Sequence, residues 1–311
     1  MKRSFVLGAL IAVGALSLVV AAQGGGGQQA AKIVEVEKLK DNLFVLKGGG
    51  GNTAVFITAN GVTVVDAKNP GWGQPILDKI KTLTDKPVTT LINTHTHGDH
   101  VSGNVEFPAT VDIVVQENTK ANMEKMVAPT GFPPATSNIF KENNGRGMPK
   151  RTFKDKMTLF RGNDEIDLYY FGRGHTNGDA WVVFPSLRTV HAGDIFSGKN
   201  VPLLDANNGG SGVAIPDTLQ KAYNTIKNVD TIITGHSTQM TWADLKEYAD
   251  FNRDFLNDVR AARKAGKSVD EVAAAWKIPA KYKGYGEPQA ARLKANVQVV
   301  SDELNAAGSS K

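Results

Sequence analysis

Short apolar runs bounded by turn residues dominate the chain from residue 32 to about residue 116 and predict a strand-rich first half. Some runs alternate polar and apolar residues, and others are rich in β-branched or aromatic side chains, as strands are. The dipeptide Asn60-Gly61 predicts a hairpin turn between two of them. Apolar side chains at helical spacing predict a helix over residues 71–83. The predicted strands are residues 33–37, 43–46, 53–58, 62–66, 88–93 and 111–115.

A similar order of strands followed by helices runs through the rest of the chain, without a clear sequence repeat. Two strand-rich stretches, each followed by helices, favour two β-sheets packed face to face with helices outside them, which is an α+β fold. The predicted strands of this half are residues 155–159, 165–171, 180–184, 188–191 and 231–233, and the predicted helices are residues 117–126, 216–228, 241–265, 268–275 and 289–306.

Two segments lack a periodic pattern and are predicted to be loops. Residues 127–151 form an insertion rich in Pro, Gly, Asn and Lys, and residues 201–211 are rich in Gly and Asn. Long loops in compact domains are often functional, so we expect both to line the entrance to a site; a plain surface insertion is the alternative for the first. Candidate apolar contacts are Phe132, Phe140, Met148 and Tyr169, unless these side chains only anchor the loops.

The N-terminus has the pattern of a secretory signal peptide. Lys2 and Arg3 precede an uncharged apolar stretch over residues 5–20, and small residues follow as a cleavage site. Because the stretch is shorter than the roughly 20 residues that span a bilayer, we expect cleavage rather than a retained anchor. The predicted organisation is a signal peptide over residues 1–22, a flexible linker over residues 23–31 and one domain over residues 32–311.

The composition of the chain excludes some classes of partner and some kinds of chemistry. The formal net charge of the 311-residue chain is only +5, and basic residues are interleaved with acidic ones. We therefore expect no nucleic-acid partner, and the predicted export favours a small, diffusible substrate. The chain has no cysteine, which excludes disulfides, thiolate metal ligands and a cysteine nucleophile. The C-terminal helices over residues 241–311 are expected either to pack on the domain or to pair two chains.

The candidate chemistry lies in the run of residues 95–100, His-Thr-His-Gly-Asp-His, which holds half of the six histidines of the chain. Imidazole and carboxylate are preferred ligands of zinc and similar divalent metals. His95 and His97 are two apart, so in an extended chain they point to the same side. Gly98 permits a bend that turns the next two residues towards a second point, so that one motif could serve two metals. Three more candidates follow predicted strands in glycine-bounded turns: His175, Asp194 and His236.

These motifs resemble those of a known family. The run over residues 95–100 is similar to the HxHxDH signature of the metallo-β-lactamase fold superfamily. The later motifs fall in the family's order, and together they cover nearly all of residues 32–240. The resemblance implies a four-layer αββα sandwich of two mixed β-sheets flanked by helices. The matching later motifs are Val64-Val65-Asp66, Gly174-His175-Thr176, Gly193-Asp194 and Gly235-His236.

The same resemblance implies a role for each residue. Asp194 would bridge two metals, and Asp66 would stand behind the ligands and hydrogen-bond their loop. His191 has no matching motif position, so we expect it near the site but outside it. The implied ligands are His95, His97 and His175 for the first metal and Asp99, His100 and His236 for the second.

By resemblance, the chain is expected to be a hydrolase that binds two zinc ions, and the predicted signal peptide implies that it is exported, to the periplasm or outside the cell. A hydroxide bridging the metals would open a carbonyl ester or amide bond in a lactone, β-lactam or similar small molecule, and Asp99 would orient the water or move its proton. Because β-lactam-opening members with this ligand set usually lack the bridging acid, Asp194 makes the site more similar to glyoxalase II and lactonases. The alternatives are a glyoxalase II-like thioester hydrolase, an iron-dependent oxidoreductase similar to persulfide dioxygenases, and a non-catalytic binding protein.

Overall fold

The computed structural model describes residues 32–308, so the predicted signal peptide and linker lie outside the described residues. The described residues belong to one compact unit. Within the part of the chain that the structure describes, no helix combines the length and the apolar character needed to cross a membrane.

The first sheet has seven strands in sequential order. Its first four strands pair antiparallel, and the fourth to seventh pair in parallel. Parallel neighbours need a crossover, and helix α1 (Gly73–Lys81) lies in the first of these connections. The strands are β1 (Glu35–Lys40), β2 (Leu43–Lys47), β3 (Thr53–Ile57), β4 (Val62–Val65), β5 (Val88–Ile92), β6 (Asp112–Gln116) and β7 (Arg151–Phe153).

The second sheet has six strands in the order β13-β12-β11-β10-β9-β8. Only β11 and β12 are parallel, and helix α5 (Ile215–Thr225) lies in the connection between them. Both sheets are therefore mixed. The strands are β8 (Lys156–Leu159), β9 (Ile166–Tyr169), β10 (Trp181–Phe184), β11 (Thr189–Gly193), β12 (Thr231–Thr234) and β13 (Met240–Thr241).

One apolar core fills the space between the sheets. The rings of Phe56 in β3 and Phe184 in β10 meet edge to face across it, with centroids 5.1 Å apart. Side chains of β2 alternate between the two faces of the first sheet, and Leu43 and Val45 point into this core. Leu46 points the other way, towards the cluster that packs on α1.

Helices cover both outer faces, so the predicted αββα sandwich is confirmed. Helix α1 covers the first sheet, and the C-terminal helices pack on the second sheet in one apolar cluster. Capping boxes begin α6 at Thr241 and α7 at Ser268. The remaining helices are α2 (Gly98–Val101), α3 (Glu117–Met123), α4 (Ile139–Glu142), α6 (Trp242–Lys264), α7 (Val269–Ala275) and α8 (Ala290–Gly308).

The insertion over residues 127–151 differs from the prediction of an uninterrupted loop, because it contains α4 and leads into β7. Elements this short carry too few residues for a periodic pattern. The prediction that Phe140 contacts the entrance is wrong, because only 2% of this residue is exposed. It packs in a small apolar cluster with Val101 and Met123. Phe132, by contrast, is 52% exposed.

Candidate metal centre

The seven predicted ligands lie beyond the ends of strands and converge on one place. Strand β5 leads into His95 and His97, and the short helix α2 then carries Asp99 and His100. The second sheet supplies the other three residues from the loop after β9, the end of β11 and the end of β12: His175, Asp194 and His236.

The residues form two groups whose ligand atoms lie within 4.8 Å of one another. The first group is His95, His97, His175 and Asp194, and all four are buried. His175 Nε2 is 3.0 Å from His97 Nδ1 and 3.9 Å from Asp194 Oδ2. Three imidazoles and one carboxylate are a suitable donor set for zinc.

The second group is Asp99, His100 and His236. His236 Nε2 lies 3.3 Å from His100 Nε2 and 3.2 Å from Asp99 Oδ2. Asp194 lies between the groups, with Oδ2 3.1 Å from His236 Nε2 and Oδ1 3.3 Å from His100 Nε2. The side chains of Asp99 and His236 are 31% and 39% exposed, so the site opens to solvent on this side.

Hydrogen bonds on the outer side of the first group fix which ring nitrogens carry protons. The carbonyl of Leu203 can only accept, so His175 Nδ1 donates to it at 2.7 Å and Nε2 keeps its lone pair. Asp205 accepts from His97 Nε2 at 2.7 Å, which leaves a lone pair on His97 Nδ1. The two lone pairs face each other at 3.0 Å, an arrangement that a cation between them would stabilise.

The other two histidines of residues 95–100 are held in the same way, with one ring nitrogen bonded to an oxygen atom and the other facing the centre. Thr94 Oγ1 donates to Asp66 Oδ2 at 2.7 Å and therefore accepts from His95 Nδ1 at 3.0 Å. His95 Nε2 is buried without a hydrogen-bond partner among the described residues. His100 Nδ1 donates to Asp66 Oδ2 at 2.7 Å, so its Nε2 is also free to bind a cation. The residues present thus fit a pair of divalent metals.

The electrostatics agree with neutral imidazoles at His95 and His175. Burial lowers the pKa of His175 to about 4 and holds that of His95 well below its ordinary value. The Asp194 carboxylate raises the pKa of His236 to about 10. Burial raises the pKa of Asp99, yet the adjacent His100 and His236 outweigh burial and keep it below its usual range. Asp99 is therefore an ionised carboxylate at neutral pH.

Comparison with known proteins gives the family. The profile of the metallo-beta-lactamase superfamily matches residues 46–236. A metallo-beta-lactamase type 2 from Elizabethkingia meningoseptica is 30% identical over 238 residues, covering 70% of this chain and 83% of that protein. The chain belongs to the metallo-β-lactamase superfamily. As a superfamily member it is a metal-dependent hydrolase, which confirms the predicted class of enzyme.

Other superfamily relatives extend the comparison. A hydroxyacylglutathione hydrolase from Crocosphaera subtropica is 28% identical over 171 residues, which cover 55% of this chain and only 54% of that protein. The solved structure of a metallo-beta-lactamase from Pontibacter korlensis matches with a TM-score of 0.58 at 19% identity, over 71% of this chain and 99% of that one. At this identity the solved structure supports the fold alone.

Two buried acids of this superfamily member accept hydrogen bonds from ligand histidines, and the sequence predicted only one of them. Asp66 contacts Thr94 and His100, as expected for a residue that orders the ligand loop. Asp205 was missed, although it is fully buried and bonds His97. The one signal was an acid within the Gly- and Asn-rich loop over residues 201–211, and the partner is 108 residues away in sequence.

Asp205 also connects the insertion to the metal centre. Its Oδ1 accepts hydrogen bonds from the backbone N–H of Thr130 at 2.9 Å and from the Thr130 hydroxyl at 3.1 Å. Burial acts to raise the pKa of Asp205, but the bond from His97 and the other donors outweigh it, and the pKa falls to about 2. The loop over residues 127–138 therefore rests on the same carboxylate that orients a ligand.

Two further titratable residues near the site, His191 and Asp179, bond to the protein backbone and are not among the predicted metal ligands. His191 is fully buried, donates from Nε2 to the carbonyl of Asn52 at 3.1 Å and belongs to neither ligand group. Asp179 accepts from the backbone and hydroxyl of Thr176 and so shapes the turn after His175. Burial raises the pKa of Asp179 to about 7.

Proposed function

We propose that this superfamily member is an exported binuclear zinc hydrolase that opens the carbonyl ester or amide bond of a small molecule such as a lactone or β-lactam. The observation that supports two metals is the pair of facing imidazole nitrogens in each group, His97 with His175 and His100 with His236. Asp194 contacts both groups, so it would bridge the ions.

Each ligand set would hold one ion. His95, His97 and His175 would hold the first ion. The second ion would lie on the more exposed side of the site. Bound zinc lowers the pKa of water and polarises a carbonyl oxygen, which is the chemistry that hydrolysis at neutral pH requires. The second ion would be held by Asp99, His100 and His236.

The chain's own residues supply orientation and proton transfer. Asp99 Oδ2 lies on the solvent-facing side, ionised and 3.2 Å from His236 Nε2. There it would orient the attacking water, accept its proton and return that proton to the leaving group. Asp66 and Asp205 hold the rings of His100 and His97 in the orientation that their ligand nitrogens need.

The choice of substrate class rests on the relatives and on the ligand set. The relative with the longest described match is named a metallo-beta-lactamase, which favours cyclic amides. The bridging carboxylate of Asp194 favours esters and lactones, as the resemblance implied. A thioester substrate of the glyoxalase II kind has weaker support, because the match to the hydroxyacylglutathione hydrolase covers only about half of that protein.

The direct test is a substrate panel with the zinc-loaded protein. Lactones, β-lactams, thioesters and phosphodiesters would be compared by kcat/KM, and we expect a lactone or β-lactam to be the best substrate. Activity should vanish on metal removal and return with zinc. Full activity after verified metal removal would contradict the proposal, as would oxygen consumption with a persulfide in an iron-loaded protein that hydrolyses nothing in the panel.

We expect Asp99→Asn to lower kcat by about 100-fold, because an amide cannot accept the proton and general base catalysis typically contributes about 10²- to 10⁴-fold. Asp41→Asn is the matched control, since Asp41 is fully exposed and pairs with Lys38 at the surface. Steady-state kinetics on the best substrate of the panel would compare the two variants. A kcat unchanged in Asp99→Asn at full metal content would remove Asp99 from the mechanism.

A further inference from the structure

Lys68 is a buried cation that the proposed mechanism does not use. It is the only fully buried lysine among residues 32–308. Its Nζ donates to the carbonyl of Leu46 at 2.9 Å and to the carbonyl of Gly51 at 2.7 Å. Lysine is almost never fully buried without partners, so these two bonds account for its presence inside the protein.

The backbone around Lys68 is held in an unfavourable conformation. Lys68 has a φ of 67°, and Asp66, two residues earlier, has a φ of 66°. Residues with a Cβ disfavour this left-handed region, and such conformations cluster at functional sites. The segment is held by neighbours that carry the metal ligands, since Ala67 donates from its backbone N–H to the carbonyl of His100 at 2.7 Å.

The carbonyl of Gly51 that Lys68 binds belongs to the peptide joining Gly51 to Asn52. These two residues contact Asp99, His100 and the residue before His236. Gly51 donates from its backbone N–H to the carbonyl of Asp99 at 3.0 Å. It lies so close to His100 that a Cβ on Gly51 would be 2.2 Å from the ring. Asn52 donates from its backbone N–H to the carbonyl of Gly235 at 2.7 Å, directly before His236.

The first group is supported by other residues. His95 is held by Thr94, His97 by Asp205, and His175 by the carbonyl of Leu203. None of these three supports is a partner of the Lys68 side chain, whose hydrogen bonds go to the carbonyls of Leu46 and Gly51. The second group therefore has a support that the first group does not share.

We propose that Lys68 is a positioning residue for the second metal position, acting by way of the Gly51–Asn52 backbone on Asp99, His100 and His236. The inference rests on the proposed two-metal function. Burial lowers the pKa of Lys68 to about 7, with the carboxylates of Asp66 and Asp99 acting in the opposite direction. An ammonium and a neutral amine both have enough N–H groups to bond two carbonyls, so the support is present in either form.

The test is stepwise metal binding by Lys68→Met, which keeps an unbranched side chain of nearly the same length and removes its donors. Zinc would be titrated into the metal-free full chain in competition with a chelating dye. We expect the affinity of the weaker zinc to fall by about 10- to 100-fold, as for other residues that support ligands, and that of the tighter zinc to change by less than about 3-fold. Hydrogen exchange of the Gly51 amide should also become faster.

Lys86→Met is the matched control, because the Lys86 Nζ also donates to a carbonyl, that of Thr58, away from the ligands. If Lys68→Met does not fold, Lys68→Gly removes the same donors and relieves the positive φ. Parallel loss of both metals, or no change in either affinity, would overturn the inference. Wild-type protein that binds a single metal would instead overturn the proposed function, so the two failures are distinguishable.

Discussion

At the scale of single residues, the ring nitrogens that point away from the centre decide what the centre can bind. His97, His100 and His175 each donate from one nitrogen to an oxygen acceptor at 2.7 Å, which leaves the other nitrogen as a ligand. Because an imidazole that rotates or changes tautomer loses its ligand nitrogen, the acceptors behind the rings matter nearly as much as the rings themselves.

Asp205→Asn tests this dependence at the first metal position. An amide can accept from His97 or from Thr130, but it cannot serve all the donors that surround Asp205. We expect the affinity for the first metal to fall by about 10- to 100-fold, measured by chelator competition. Asp217→Asn, at an exposed acid paired with Arg253, should bind both metals as wild type does. Unchanged affinity in Asp205→Asn would show that the fold alone holds His97 in place.

Gly235→Ala tests how tightly the chain passes Asp194. A Cβ at this position would lie 1.8 Å from Asp194 Oδ1, so the carboxylate or the backbone must move. We expect the variant to bind fewer than two metals and to lose at least 10-fold in kcat/KM. Gly286→Ala is the control, since nothing lies within 4 Å of its added Cβ. Normal metal content in Gly235→Ala would contradict the close approach.

At the scale of elements, sequence patterns predicted the strands and helices whose apolar side chains recur at a regular spacing. The strands from β2 to β5, the long helices and the capping box of α7 follow from apolar spacing and from Ser268 with Glu271. The two-residue strand β13 and the three-residue β7 were not predicted, because so few residues show no period. Asp205 was missed for a different reason, since its partners come together only by folding.

The capping box of α6 provides a stability prediction for one element. The Thr241 hydroxyl accepts from the backbone N–H of Asp244 at 3.2 Å, and the Asp244 carboxylate accepts from the backbone N–H of Thr241 at 2.8 Å. Thr241→Ala should lower the free energy of unfolding by about 1 kcal/mol, measured by denaturant titration of the metal-free protein, with an unchanged ligand site. A variant as stable as wild type would show that packing alone fixes the start of α6.

At the scale of the whole molecule, the metal centre joins the two halves of the sandwich. The first half contributes four ligands through the run that follows β5, and the second half contributes His175, Asp194 and His236. The resemblance of the motifs to those of the family predicted this convergence. The sequence did not show which ligand group opens to solvent, because exposure depends on how neighbouring loops pack.

Metal removal should therefore destabilise the whole protein. A ligand that binds only the folded state, at 100 times its Kd, adds about 2.7 kcal/mol to stability. For a domain of this size we expect chelation to lower the Tm by about 5–10 °C, followed by differential scanning fluorimetry and reversed by added zinc. An identical Tm with and without chelator would contradict a metal that links the halves.

A binuclear zinc centre shared by the two halves fixes the metal content of the purified protein, and that content can be measured. Elemental analysis by mass spectrometry, with protein concentration from amino-acid analysis, gives the number and kind of ions per chain. We expect about two zinc ions per chain. About one iron per chain, or a single metal that does not increase when zinc is supplied in excess, would contradict it.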